Sequence, residues 1–182
     1  MLQLVGSQGY SATTVLQVVK HARASSNAFY ELFKDKEDCF LTMCEEEAAN
    51  FSDAILNAAL KAPDWRAAVA IAIREALVWW QNRPQLARAF LLDIPTIGER
   101  ATKCRQATYR PFEHLLTHVA GWARESVDSV LPIRKHIPHL LISGITDLIA
   151  EEVRAGRGGK LRRLEDDLVY AVVSLVGSEP NG

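Results

Sequence analysis

The sequence predicts an all-α protein, with a head of three short helices followed by a larger helical body. Three observations carry this. Apolar residues recur at three-to-four spacing along the chain to residue 176, the period of one helix face. No stretch alternates apolar and polar residues with the two-residue period of a half-buried strand, and no Asn-Gly hairpin signal occurs. The breaks fall at prolines, glycines and good N-caps, which cut the chain into helix-length pieces. Of 182 residues, 48% are apolar and 24% charged, a globular composition without repeats or low-complexity tracts. Charges interrupt every apolar run within about ten residues, too short to span a membrane. Met1 to Tyr10 lacks the pattern of a secretory signal, so a cytoplasmic location is the default expectation. Cys39, Cys44 and Cys104, an odd number without metal-like spacing, read as buried reduced thiols.

Leu2, Leu4 and Val5 give a first helix that ends before Gly9 and packs under the next two. Thr13-Thr14 opens a second helix over residues 13–22, with Val15, Val18, Val19 and Ala22 as its stripe. Arg23-Ala24-Ser25 is a turn, and Ser25 is a good N-cap for a third helix over residues 26–33. Phe29 and Phe33 lie four apart on its buried side, leaving Ser26, Asn27 and Tyr30 on the other. Asp35 caps the fourth helix. Two short helices, a tight turn and small polar residues on the second make a helix-turn-helix DNA reader, a domain over residues 1–40. Tyr30 and Thr14 can place hydroxyls on phosphates. The backbone N–H groups at the helix start around Lys36 offer a phosphate site, with the Lys36 side chain adding charge. Base reading falls to Ser26, Asn27 and Ala28, since Asn pairs bidentately with adenine and a methyl touches thymine. Arg23 reaches a phosphate or a base edge, and Ser25 completes the set. The head is charge-balanced, with Lys20, Arg23, Lys34 and Lys36 against Glu31, Asp35, Glu37 and Asp38, and the whole chain carries −1. Moderate, strongly salt-dependent DNA affinity is expected.

The body covers residues 41–182. Residues 36–61 read as one long helix joining it to the head, with Phe40, Met43, Cys44, Ala48, Phe51, Ile55 and Leu56 inward and Glu45-Glu46-Glu47 solvated. Pro63-Asp64 ends it. Residues 65–81 are apolar nearly all round, so other helices surround them. Asn82-Arg83-Pro84 stops the chain and restarts it as a short helix over 85–92, and 95–98 reads as a loop. A helix over 99–126 has Cys104, Thr108, Phe112, Leu115, Val119 and Trp122 in line. Pro111 inside it removes a hydrogen bond and kinks it. Pro132 and Pro138 bracket an irregular turn. Residues 138–155 carry Leu141, Gly144, Ile145 and Leu148 on one face, 155–159 form a glycine-rich loop, and the last helix over 161–176 aligns Leu161, Leu164, Leu168, Val172 and Leu175. Residues 177–182 read as a frayed tail.

The positions Gly9, Tyr10, Thr13, Thr14, Val15, Ala22, Ser25, Phe29, Tyr30, Phe33, Lys36 and Glu37 carry a resemblance. Over roughly the first forty residues the chain resembles the DNA-binding domain of the TetR family of transcriptional regulators. The rest matches only in its all-helical layout and length. Arg23 stands where the family usually has Gly, Ala28 where Thr or Ser is common, and only Met1 to Gln8 precede Gly9, where the family has about two further turns. The resemblance implies the same phosphate roles for Thr14, Tyr30 and Lys36. It also implies a homodimer formed by the last two helices, matched to a palindromic double-stranded operator, and a small-molecule effector inside the helical body.

Leu141, Gly144, Ile145, Leu148, Leu164, Leu168, Val172 and Leu175 are the candidate dimer residues, with packing inside the monomer the alternative. Trp79, Trp80, Phe90, Tyr109, Phe112, His118 and Trp122 are the candidate pocket residues for an apolar or aromatic effector. Each aromatic alone reads as core, and the set beside Pro111 reads as a pocket. His114 and His118 are four apart, and His136 and His139 three apart, but no carboxylate is fixed beside either pair, so no metal site is assigned. No nucleophile with a placed base is visible, no cofactor is implied, and an enzyme is not expected. The reading is a ligand-released repressor. The alternative is a ligand-binding helical dimer with a weakened DNA head.

Overall fold

The structure, a computed structural model, describes residues 1–178. It is all-helical, with no strand among the described residues. The tail reading at residues 179–182 lies outside them.

The head comprises α1 (Leu2–Gln8), α2 (Val15–Ala22), α3 (Ser26–Leu32) and the first turns of α4 (Lys36–Ala59). Its boundaries are set by caps. Thr14 forms a capping box with Gln17, its hydroxyl accepting from the Gln17 N–H (3.3 Å) while the Gln17 side chain accepts from the Thr14 N–H (2.8 Å). The Ser25 hydroxyl accepts from the Ala28 N–H (3.1 Å), and the Asp35 carboxylate from the Asp38 N–H (2.8 Å). Val18, Val19, Phe29 and Cys39 form a small core, with Met1, Leu4, Val15 and Phe33 against it. Val5 and Phe40 belong instead to the main core. Head and body therefore share α1 and α4, and residue 40 lies inside a continuous helix.

The body is built from the rest of α4, α5 (Trp65–Gln81), α6 (Pro84–Arg88), α7 (Ile94–Ile97), α8 (Glu99–Ala107), α9 (Arg110–Ser126), α10 (Ile137–Arg154) and α11 (Glu165–Val176). Leu77 at the middle of α5 is fully buried, as is Ile94. Leu41, absent from the inward set read along α4, is 1% exposed and faces the main core beside Phe40. The three cysteines are buried and unpaired.

Three stretches depart from the sequence reading. Residues 84–97 continue as helix, with a π-helical segment at Ala89–Asp93 between α6 and α7. Pro95, read as part of a loop, lies in this continuous run at the first turn of α7, directly after the π-helical segment. Residues 99–126 form two helices, because the chain breaks at Thr108-Tyr109 and Pro111 starts α9. Residues 161–164 belong to a 3₁₀ segment, Gly158–Leu164, before α11. This segment is held by a charge cluster. Glu152 on α10 is only 6% exposed, accepts two bonds from Arg157 (2.8 Å each) and pairs with Arg163.

Candidate DNA-reading head and interior cavity

Arg23 closes the turn between α2 and α3 in the left-handed region (φ 54°, ψ 37°), the sole non-glycine at positive φ among the described residues. Its side chain is exposed, as are Thr14, Ser25 and Asn27, while Ser26 and Ala28 are half-buried. Tyr30 is 59% exposed, its ring packed edge-on against Phe29, so the hydroxyl projects outward. The candidate DNA-facing residues are thus exposed or half-buried on the head, and Lys36 is the one whose charge is engaged. The Lys36 ammonium donates to the Tyr10 and Thr13 carbonyls (2.9 and 3.0 Å) and sits 4.0 Å from the Tyr10 ring centroid. The sequence reading made it a phosphate cation, but its charge is largely engaged in tying α4 to the segment before α2. The Ser25 hydroxyl already accepts a cap bond and can still donate outward, whereas the Thr14 hydroxyl both accepts from the Gln17 N–H and donates to Gln17 Oε1 (3.1 Å), a bond it must give up to reach a phosphate.

The head meets the body through α1, which lies along α6. Gly6 is buried there, and a Cβ at that position would lie 2.2 Å from the Gln85 carbonyl oxygen. Beside it the Tyr10 N–H donates to Asp93 Oδ1 (3.0 Å). Asp93 Oδ2 is buried without a partner among the described residues. The π-helical segment that presents Asp93 also carries Phe90 and Leu91, which line the interior cavity.

That cavity lies in the middle of the body and encloses about 120 Å³. Phe51 and Ile55 of α4 form part of its wall, opposite α5, α9 and α10. Of the predicted pocket residues, Trp80, Phe90, Tyr109 and Phe112 line it. Trp79 does not. It is stacked under Arg83 (3.8 Å to its centroid), with its indole N–H buried and unpartnered. Trp122 packs half-buried against the core outside the cavity, and His118 is on the exposed face of α9. His114 and His136 are exposed too, and His139 Nδ1 meets Glu113 at 2.8 Å. No group of three or more His, Cys, Asp or Glu suited to a metal occurs among the described residues.

The lining is apolar except near Arg105, Tyr109 and Thr146. Arg105 Nη2 pairs with Asp147 Oδ1 at 2.8 Å, and its guanidinium lies 5.8 Å from the Tyr109 ring centroid. Burial pushes the Tyr109 hydroxyl above its ordinary pKa, against the pull of Arg105 and Thr146. Sequence reasoning missed Arg105 and Thr146. Arg105 sits on a helix of mixed charge, ERATKCRQA, and Thr146 on an apolar one, so no local signal marks either.

The candidate dimer residues divide by burial in the single chain. Ile145, Leu168 and Val172 line the cavity, Leu141 is buried, and Leu148 and Leu164 pack against the core. Of these six, Leu141, Leu168 and Val172 are buried and Ile145, Leu148 and Leu164 half-buried in the single chain. Gly144 and Leu175 face outward, alongside Leu140 (61% exposed) and Tyr170 (76% exposed), which the sequence reading did not choose.

Residues 2–43 match the family described as bacterial regulatory proteins, tetR family, the stretch that carries the helix-turn-helix. No curated protein matches the chain. Among solved structures, the transcriptional regulator FadR from Bacillus subtilis, in complex with stearoyl-CoA, superposes with a TM-score of 0.81 at 16% identity, over 95% of this chain and 94% of that one. The fatty acid degradation regulator FadR from Bacillus halodurans gives 0.78 at 17% identity, over 98% and 95%. The MbdR regulator from Azoarcus sp. CIB gives 0.65 at 23% identity, over 100% and 95%. The likeness in fold runs the whole length of the chain.

Proposed function

We propose that this chain, whose TetR-type head and full-length fold are those of a transcriptional regulator, is a repressor that binds a palindromic operator as a homodimer and releases it when a small molecule enters the body. The observation that carries the reading is the course of α4. Its first turns belong to the DNA-reading head, and Phe51 and Ile55 further along it wall the cavity. An occupant that enlarges the cavity against Phe51 and Ile55 pushes the helix that holds the head. A cavity of about 120 Å³ is well under the roughly 300 Å³ or more of a drug-sized site, so a larger occupant must displace its walls. A second connection runs through Phe90 and Leu91 to Asp93 and the Tyr10 N–H. Coupling of about 1–3 kcal/mol, the usual range, gives a several-fold to hundredfold release.

The stretch from Arg23 to Tyr30 supplies the DNA contacts. Arg23 and Tyr30 hold phosphates, and Ser26, Asn27 and Ala28 read bases. The stearoyl-CoA bound by the Bacillus subtilis FadR supports an apolar-chain effector here, since the lining of this cavity is apolar along most of its length.

The deciding experiment is fluorescence anisotropy with duplex DNA from the region flanking the protein's own gene, against a scrambled duplex, at two salt concentrations. Tight binding to the flanking duplex alone supports the regulator. Equal weak binding to both favours the ligand-binding dimer with a weakened head.

A further inference from the structure

We propose that the cavity takes a linear apolar chain ending in an anionic group, and that Arg105 is the residue that receives the anion. This rests on the reading of the cavity as the effector site. Phe51, Ile73, Phe112 and Ile149 surround its apolar part. Arg105 is its one charged lining residue, and its side chain is 24% exposed, so the cation stands at the boundary between the cavity and solvent.

A neutral apolar ligand would need no cation there, and a half-buried guanidinium facing hydrocarbon carries a desolvation cost. An amphipathic anion removes that cost, with its chain filling the apolar part and its head on the fork of Arg105. The site also has the means to hold the cation while empty. Asp147, 72% exposed, pairs with Arg105 at 2.8 Å. An ion pair to so exposed a carboxylate is weak and readily exchanged, so an incoming carboxylate or phosphate can take its place. Tyr109 supplies a hydroxyl beside the guanidinium for a remaining oxygen, while the Thr146 hydroxyl is donated to the Ile142 carbonyl (2.7 Å). The neighbouring Glu113 carboxylate is turned to His139 and does not compete for Arg105. A fatty carboxylate carries its charge directly at the end of the chain, whereas an acyl thioester with a phosphorylated carrier brings its anions only beyond a neutral arm.

The test is isothermal titration of the full chain with palmitate, palmitoyl-CoA and neutral hexadecanol, each below its aggregation threshold. Binding of one or both anions well above hexadecanol is expected, and which of them binds tells the carboxylate from the thioester. Arg105→Ala should weaken the anion about tenfold or more, the usual scale for a charge-assisted pair, and leave hexadecanol unchanged. Asp147→Asn should tighten the anion severalfold by freeing Arg105, a gain that damage to the fold would not produce. Equal binding of hexadecanol and the anions, or Arg105→Ala and Asp147→Asn both binding like the parent chain, would overturn the anchor and leave the cavity reading standing. Binding of none of the three would overturn the ligand class as well, and the DNA titration would still decide whether the chain is a regulator.

Discussion

Arg23 pairs a backbone cost with an exposed charge. A side chain in the left-handed region costs about 1–2 kcal/mol, and Arg23 at φ 54° incurs it in the turn of the reader. Arg23→Gly removes this strain, offset in part by the roughly 0.5–1 kcal/mol of unfolded-chain entropy that glycine adds. The variant should gain up to about 1 kcal/mol in urea denaturation and at the same time bind DNA more weakly, with a shallower salt dependence. Equal stability together with unchanged DNA affinity would remove both roles. Glu152 is the other residue whose chemistry yields a signed prediction. The Arg157 pair, helped by Arg163, holds its carboxyl at about 2 against an ordinary 4.5. Folding thus favours the ionised form. The contribution to stability is complete above about pH 4.5 and is lost as pH falls toward 2. Acid-unfolding curves should show the parent chain losing stability more steeply than Glu152→Gln across that window. At neutral pH the variant should be the less stable, because two guanidiniums lose their carboxylate.

At the scale of elements, the helices of the head could be read because their boundaries are written in local chemistry. Thr14, Ser25 and Asp35 each cap the helix that the sequence assigned to them. The body was read less well where a boundary depends on neighbours. Pro111 is equally compatible with a kinked helix interior and with a first turn, and only packing at Thr108-Tyr109 decides for the second. The π-helical turn at Ala89–Asp93 lies just before Pro95, which cannot donate back into the helix, and Asp93 at its end accepts from the Tyr10 N–H more than eighty residues away. The stripe on α10 and α11 has the period of one helix face, and within the single chain part of it packs on the body's own core. A heptad-like run reports an apolar face, and whether that face meets the monomer's own core or a second chain lies outside local sequence. Gly6 belongs to this scale too, since it lets α1 lie on α6. In Gly6→Ala the new Cβ meets backbone atoms of Gln85 that cannot rotate away. The overpacking should cost about 1–3 kcal/mol. It should also loosen the head, seen as an early melting transition or raised hydrogen exchange in α1 ahead of α5. A single unshifted transition would show that the α1–α6 contact does not hold the head.

At the scale of the whole molecule, the proposed repressor requires two heads held at a fixed separation. A palindromic operator needs recognition helices about 34–36 Å apart or a multiple of this, a geometry that one chain cannot supply. Leu140 on α10 and Tyr170 and Leu175 on α11 are the large apolar side chains left exposed on the last two helices among the described residues, and Gly144 is exposed one turn from Leu140. Nothing lies within 4 Å of where a Gly144 Cβ would be, so this position gives a second helix room to approach closely. A two-fold pairing would bring this face against its own copy, burying large apolar side chains that are open in the single chain. The two sets of residues therefore predict opposite phenotypes. Leu140→Lys with Leu175→Lys should leave the melting of the isolated chain nearly unchanged, shift its mass in light scattering from dimer to monomer, and abolish operator binding, because half-sites are then bound singly. Leu168→Lys, which buries a charge against the cavity wall, should unfold the body instead. If the Leu140 and Leu175 pair stays dimeric and binds operator like the parent chain, the interface lies on another face, and the spacing of the heads must be set by it.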